Sequence, residues 1–209
     1  MPFIQAIIFC AFIFSGSIMA ADAAKDPGSA RVISTEGGAD YSLYDKREKI
    51  VAGMKIPVNS VVRTDSGGEA AIEFFDGTLL EIGPDSEALL IDFADSPRDE
   101  AAIFTLNSGI VSVKAGDPAL RAHLPLVAHT PQASVEVGDS AVVIQALGGK
   151  NHIFVDSADK GVVVRDKIHG EELKLFESDG VATIAPAGAG ECSASSCMLK
   201  HPKYKKPRS

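Results

Sequence analysis

The stretch Glu69–Gly83, EAAIEFFDGTLLEIG, decides the fold class. Two short apolar-rich runs flank Asp76-Gly77-Thr78, and each alternates in the way a half-buried strand requires. With Asp76-Gly77-Thr78 as a three-residue loop, Phe75 pairs with Leu79, Phe74 with Leu80, Glu73 with Glu81 and Ile72 with Ile82. Ile72, Phe74, Leu80 and Ile82 then share one face. A two-residue Asp-Gly loop sets Ile72 against Glu81 and Glu73 against Leu80, which fits the alternation less well. Gly77 is the residue that takes a positive φ at the corner without steric cost. The longer loop opposes Glu73 to Glu81, a like-charge pair unfavourable by roughly a few tenths of a kcal/mol. That leaves open a corner where the chain passes between two sheets instead of a plain hairpin.

The same grammar extends outward in both directions. From Arg31 onward, short alternating or apolar runs are broken by Gly, Asp, Pro and Ser, with no long helical periodicity. The expected fold is all-β, a two-sheet β-sandwich or β-roll of short, mostly antiparallel strands. Strands are expected to begin near Arg31, Tyr41, Ser60, Ala70, Leu79, Ala88, Ala102, Ile110, Leu126, Ser134, Ala141, His152, Val162, Glu172 and Val181. Turns are expected at 65–68, 76–77, 83–86, 95–97, 148–149 and 179–180. Two runs lack alternation, Val162–Val164 and Ala141–Ile144, and this suggests burial on both faces.

The chain has 209 residues, and its opening MPFIQAIIFCAFIFSGSIMA is apolar and followed by small residues. It reads as a signal peptide, residues 1–23, cleaved after Ala20 or after Ala23. An uncleaved anchor over Phe3–Ala21 is the alternative, of marginal length for a span. Residues 24–30 then form a linker, 31–147 a first β domain, 148–186 a continuing β-rich part, and 187–209 a flexible basic tail. The net charge of −8 and pI near 5.1 exclude nucleic acid as a partner, because its phosphates would be repelled. The tail runs against this balance, with Lys200, Lys203, Lys205, Lys206 and Arg208. It reads as solvated chain, with weak contact to an anionic surface as the functional alternative. Cys10 lies in the apolar leader, so Cys192 and Cys197 are the two cysteines of the mature chain. In an exported protein they are expected to form a small-loop disulfide; a zinc site would need further Cys or His at metal spacing.

At this point the sequence resembles the FecR family of bacterial envelope proteins. The resemblance rests on Ala70 and Phe74–Thr78 within AAIEFFDGT, preceded by VNSVVRTDSGGEA at 58–70. It continues in order through LEIGPDSEALL at 80–90, LNSGIVSVKAG at 106–116 and HTPQASVEVGDSAVVI at 129–144. Gly138-Asp139 stands where the family often has Gly-Thr. The resemblance implies an exported β-rich domain of envelope signalling or scaffolding, with Asp76, Gly77 and Thr78 as its structural turn. In well-known members a cytoplasmic segment acts on a sigma factor. No such segment precedes the apolar run here, so a periplasmic or secreted binding module is the expectation.

Chemistry is sparse. His123, His129, His152, His169 and His201 show no metal-ligand spacing, although His123 and His129 bracket one apolar run. No Gly-x-Ser-x-Gly elbow or Walker A motif occurs. Asp65, Asp76, Asp85, Asp92, Asp95 and Asp99 lie at successive corners, where Asp bonds the following amides; a calcium-gathering arrangement is the alternative. Glu73 and Glu81 read as two solvated side chains, with a catalytic carboxylate pair as the alternative. The expected protein is a non-enzymatic FecR-like recognition or scaffold module that uses no cofactor or metal, meets an unidentified envelope protein or polymer, and takes part in envelope signalling. Its rival is a carbohydrate-active or hydrolytic enzyme on a β-scaffold. A signalling protein still anchored by its N-terminal run is the third reading.

Overall fold

The computed structural model describes residues 28–91, 101–157, 161–176 and 181–185. Over these residues the chain is nearly all β, an open sheet of mostly antiparallel strands. Sixteen strands are described: β1 Ser29–Glu36, β2 Ala39–Leu43, β3 Lys46–Lys49, β4 Lys55–Pro57, β5 Val61–Thr64, β6 Glu69–Glu73, β7 Leu79–Ile82 and β8 Glu87–Leu90; β9 Ala101–Lys114, β10 Leu126–His129, β11 Ala133–Glu136, β12 Ala141–Leu147, β13 Lys150–Ser157, β14 Val162–Asp166, β15 Glu172–Leu175 and β16 Val181–Ile184. A 3₁₀ helix, Pro118–Arg121, interrupts them.

The 14-residue strand β9 organises the sheet. Its first part pairs with β8 and, in parallel, with β10. Its last part pairs with β7 and β12. One section of the sheet therefore runs β4-β1-β6-β7-β9-β12-β13-β16, and the other runs β3-β2-β5-β8-β9-β10-β11-β14-β15. The sequence reading expects two strands here, beginning near Ala102 and Ile110; the structure joins them. Gly109 is the reason, with φ +98° at the point where β9 changes neighbours. A Cβ there would lie 2.2 Å from Ser86 Oγ and 2.4 Å from Ser86 Cα, so only glycine permits the crossing. Ser86 Oγ in turn accepts the Ile110 N–H at 2.9 Å and lies 3.0 Å from the Pro84 carbonyl, pinning the preceding turn to β9.

Alternation sorts the side chains. In β6 and β7, Ala70, Ile72, Leu80 and Ile82 are buried while Glu69 and Glu81 are exposed. Both sections contribute to one core, which takes Ile56, Phe104, Leu106 and Val113 together with Ile144, Ile153, Val164 and Ile184. The expectation of burial on both faces is corrected: Val162 and Val164 are buried but Val163 is only half-buried, and Ala141–Ile144 alternates likewise. Two strands escaped the sequence reading. β3, KREK, is exposed throughout and has no apolar residue to signal it. β4 is three residues ending in Pro57. Both lie at sheet edges, where charge and proline discourage pairing with another chain.

Candidate functional site

The family motif corner is a hairpin after all, in a register neither sequence alternative proposed. Ala70 pairs with Ile82, Ala71 with Glu81, Ile72 with Leu80 and Glu73 with Leu79. The loop is Phe75-Asp76-Gly77, not Asp76-Gly77-Thr78. The Gly77 N–H reaches the Phe74 carbonyl at 3.0 Å and the Phe74 N–H reaches the Thr78 carbonyl at 2.9 Å. Gly77, at φ +83°, takes the last loop position, as a type I turn followed by a left-handed residue requires. The expected opposition of Glu73 to Glu81 is thereby corrected. Glu73 faces Leu79 and pairs with Arg31 at 2.7 Å. The shared face of Ile72, Phe74, Leu80 and Ile82 survives, because the pairing moves by two residues in total and period-2 faces are unchanged.

The corner also buries charge. Asp76 and Thr78 are 1% and 0% exposed. Asp76 Oδ1 accepts the Thr78 N–H at 2.8 Å, and Oδ2 accepts the Thr78 hydroxyl at 2.6 Å. The third partner is Arg121, 1% exposed, whose Nη1 donates to Asp76 Oδ2 at 2.6 Å. Thr78 Oγ1 accepts the Gly116 N–H, and the Asp76 carbonyl accepts the Asp117 N–H at 2.8 Å. The corner is therefore tied to the 3₁₀ helix that follows β9, whose start Asp117 caps through the Ala119 N–H. Beyond Arg121, Ala122 and His123 both hold positive φ, 52° and 60°, and are exposed. Arg121 was not singled out by the sequence reading. Its signal was a cation between Leu120 and Ala122 in a segment without acidic neighbours after Asp117.

The histidines do not converge. His123 is exposed, His129 Nδ1 lies 3.0 Å from Ser134 Oγ, His152 Nδ1 lies 2.9 Å from Thr183 Oγ1, and His169 Nδ1 meets Asp166 Oδ2 at 2.6 Å. Burial, with Lys150 nearby, holds the His152 imidazole below its usual pKa. No group of three or more His, Cys, Asp or Glu fit to hold a metal occurs among the described residues. Asp65 Oδ1 accepts the Gly67 N–H at 3.1 Å and Asp76 caps Thr78, the local role expected of turn aspartates. His201, Asp92, Asp95, Asp99, Cys192 and Cys197 lie outside the described residues, as do the expected turns at 95–97 and 179–180. No described helix is long and apolar enough to cross a membrane.

A shallow groove of about 310 Å³ opens across β1, β6, β7 and β9. Its geometry follows from side-chain size. Ser34, Ala71, Glu81 and Ser112 lie in one cross-strand row, and three of the four are small. Glu36 and Glu69 are paired directly opposite each other in the next row. Glu36, Glu69 and Glu81 are exposed, and no cation among the described residues forms an ion pair with any of them. Gly83, Pro84 and Ile110 complete the wall.

The FecR protein family model matches residues 60–158, a span holding the motif corner, the Arg121 anchor and three of the four groove strands, β6, β7 and β9. The resemblance read from AAIEFFDGT and its flanking segments is thus found independently. Two crystal structures of a candidate anti-sigma factor from Parabacteroides distasonis ATCC 8503, at 1.65 and 2.50 Å resolution, are similar at 13% and 14% identity with TM-scores of 0.48 and 0.49. Each likeness covers 61% of this chain but only 56% and 55% of those chains, so the match spans little more than half their length. No curated protein matches.

Proposed function

We propose that this chain, whose residues 60–158 are FecR-family sequence, is an exported, non-enzymatic regulator of the cell envelope that works by recognising a protein or polymer. The observation that carries the reading is the family match, joined to what its motif residues do. Asp76 and Thr78 are buried and saturated by Arg121 and backbone amides, so the motif builds a frame and presents no reactive group. Recognition then falls to the solvent side of the sheet and to its loops. The proposal keeps a division into a leader over residues 1–23, β-rich parts over 31–147 and 148–186, and a tail over 187–209 whose Cys192 and Cys197 pair once the chain is exported.

The enzymatic alternative would have to use the groove carboxylates. A general acid is kept protonated by burial or an apolar pocket, and Glu36, Glu69 and Glu81 are all exposed. Binding is the better use of such a surface. Fractionation of cells making the protein, followed by mass spectrometry of its N-terminus, tests export. A mature chain beginning at Ala21 or Ala24 outside the cytoplasm is expected, and an intact chain retained in the cytoplasm would refute the reading.

A further inference from the structure

We propose that the groove across β1, β6, β7 and β9 is the docking place of this chain's own basic segment, residues 199–209, bound within the same molecule. The proposal goes beyond the recognition function and does not depend on the identity of any envelope partner.

Three observations converge. First, Glu36 lies directly opposite Glu69, with Glu81 in the neighbouring row, and none has a cationic partner among the described residues. Like charges paired across strands are unfavourable, and a cation laid over them reverses the sign. The cations of this sheet face stand elsewhere: Arg31 is engaged by Glu73, Lys55 lies opposite Arg31, Lys114 lies opposite Leu79, beyond the row of Glu81 and Ser112, and Lys150 stands on β13, three strands from β7. Second, the small side chains Ser34, Ala71 and Ser112 leave a furrow running across the strands, which suits an extended segment with long side chains.

Third, the topology delivers the segment to the correct end of the sheet. β16 belongs to the same section as the groove, reached through β13, β12 and β9. Thr183 is level with His152, Gln145 and Ile110, and Ile110 is bonded to Gly83 at the groove wall. The chain thus leaves β16 at the level of Glu36 and Glu69. Four strand spacings of about 4.8 Å separate β16 from β7, about 19 Å, and two more reach β1 at about 29 Å. Fourteen residues lie between Ala185 and Lys200, and fully extended this connection reaches roughly 50 Å. Lys200, Lys203, Lys205, Lys206 and Arg208 then supply the missing positive charge.

Zero-length carbodiimide crosslinking of the full chain, mapped by mass spectrometry, tests this. The expected amide bonds join the tail lysines to Glu36, Glu69 and Glu81 within one molecule, with a yield independent of protein concentration. In the E36Q/E81Q variant, where Glu69 remains to be coupled, the Glu69 bonds should fall toward the level of unrelated exposed carboxylates such as Glu48 and Glu171. Salt near 1 M, where screening sets in at about 3 Å, should have the same effect. Circular dichroism of the variant checks that its fold is intact. Three results would overturn the proposal: tail bonds spread evenly over surface carboxylates, Glu69 bonds undiminished in the double substitution, or bonds that form only between molecules.

Discussion

Replacing Arg121 by Met tests the physical account of the motif corner. Arg121 and Asp76 are both almost completely buried and meet at 2.6 Å, so removing the guanidinium leaves a carboxylate in the interior with only the two Thr78 donors. Breaking a buried pair from one side costs about 3–5 kcal/mol, because the surviving charge is uncompensated. Against a total stability of about 5–15 kcal/mol, that is roughly a fifth of the fold or more. With a urea m-value of about 2 kcal/mol/M, the unfolding midpoint should drop by about 1.5–2.5 M. Because the side chains share one network, the D76A/R121M double variant should lose less than the sum of the single losses, by about 0.5–3 kcal/mol. Arg121 Nε is itself buried without a partner, a cost the native state already carries. A midpoint shift in R121M equivalent to less than about 1 kcal/mol, or strict additivity in the double variant, would refute the reasoning.

Other consequences are smaller or differently placed. Gly109→Ala should cost more than about 1 kcal/mol in thermal unfolding, since it meets both a positive φ and the Ser86 side chain; a near-neutral result would contradict the crossing. Arg31→Ala should change stability by no more than about 1 kcal/mol, because the Arg31–Glu73 pair is solvent-exposed on the arginine side; a larger loss would show that the pair sets the β1–β6 register. His152 has a folded pKa below 6.5, chiefly from burial. Its contribution is therefore fully present above pH 6.5 and lost as pH falls through the folded value. His152→Gln should flatten the stability profile over that window, and an unchanged slope would show that burial of the ring is not felt.

Much of the fold was legible because period-2 alternation survives small errors of register. The strands beginning near Ala70 and Leu79 are legible in type and face, and those near Ser134 and Val162 in type alone. The register at the corner was not, although the sequence held the clue. In a three-residue loop built on a type I turn, glycine belongs at the last position, which makes the loop Phe75-Asp76-Gly77. β3 was hidden because a wholly exposed charged strand has no hydrophobic signal. β9 is read as two strands because Gly109 falls between the runs starting near Ala102 and Ile110, and only its neighbours show that the chain continues through it. Arg121 and the groove were hidden for a deeper reason. Asp76 and Arg121 are 45 residues apart, and Glu36 and Glu69 meet only through β1–β6 pairing. Composition and spacing carry no record of such meetings, which the topology alone creates.

The central claim is that the chain recognises a component of the envelope, and crosslinking in intact cells tests it most directly. With the protein at its native level, the account predicts a discrete adduct with one envelope protein or polymer, recovered from the envelope fraction and weakened when solvent-side sheet and loop residues outside the groove are substituted. Adducts confined to cytoplasmic components, or an envelope-located protein that yields no adduct while a known envelope pair crosslinks in the same cells, would contradict it.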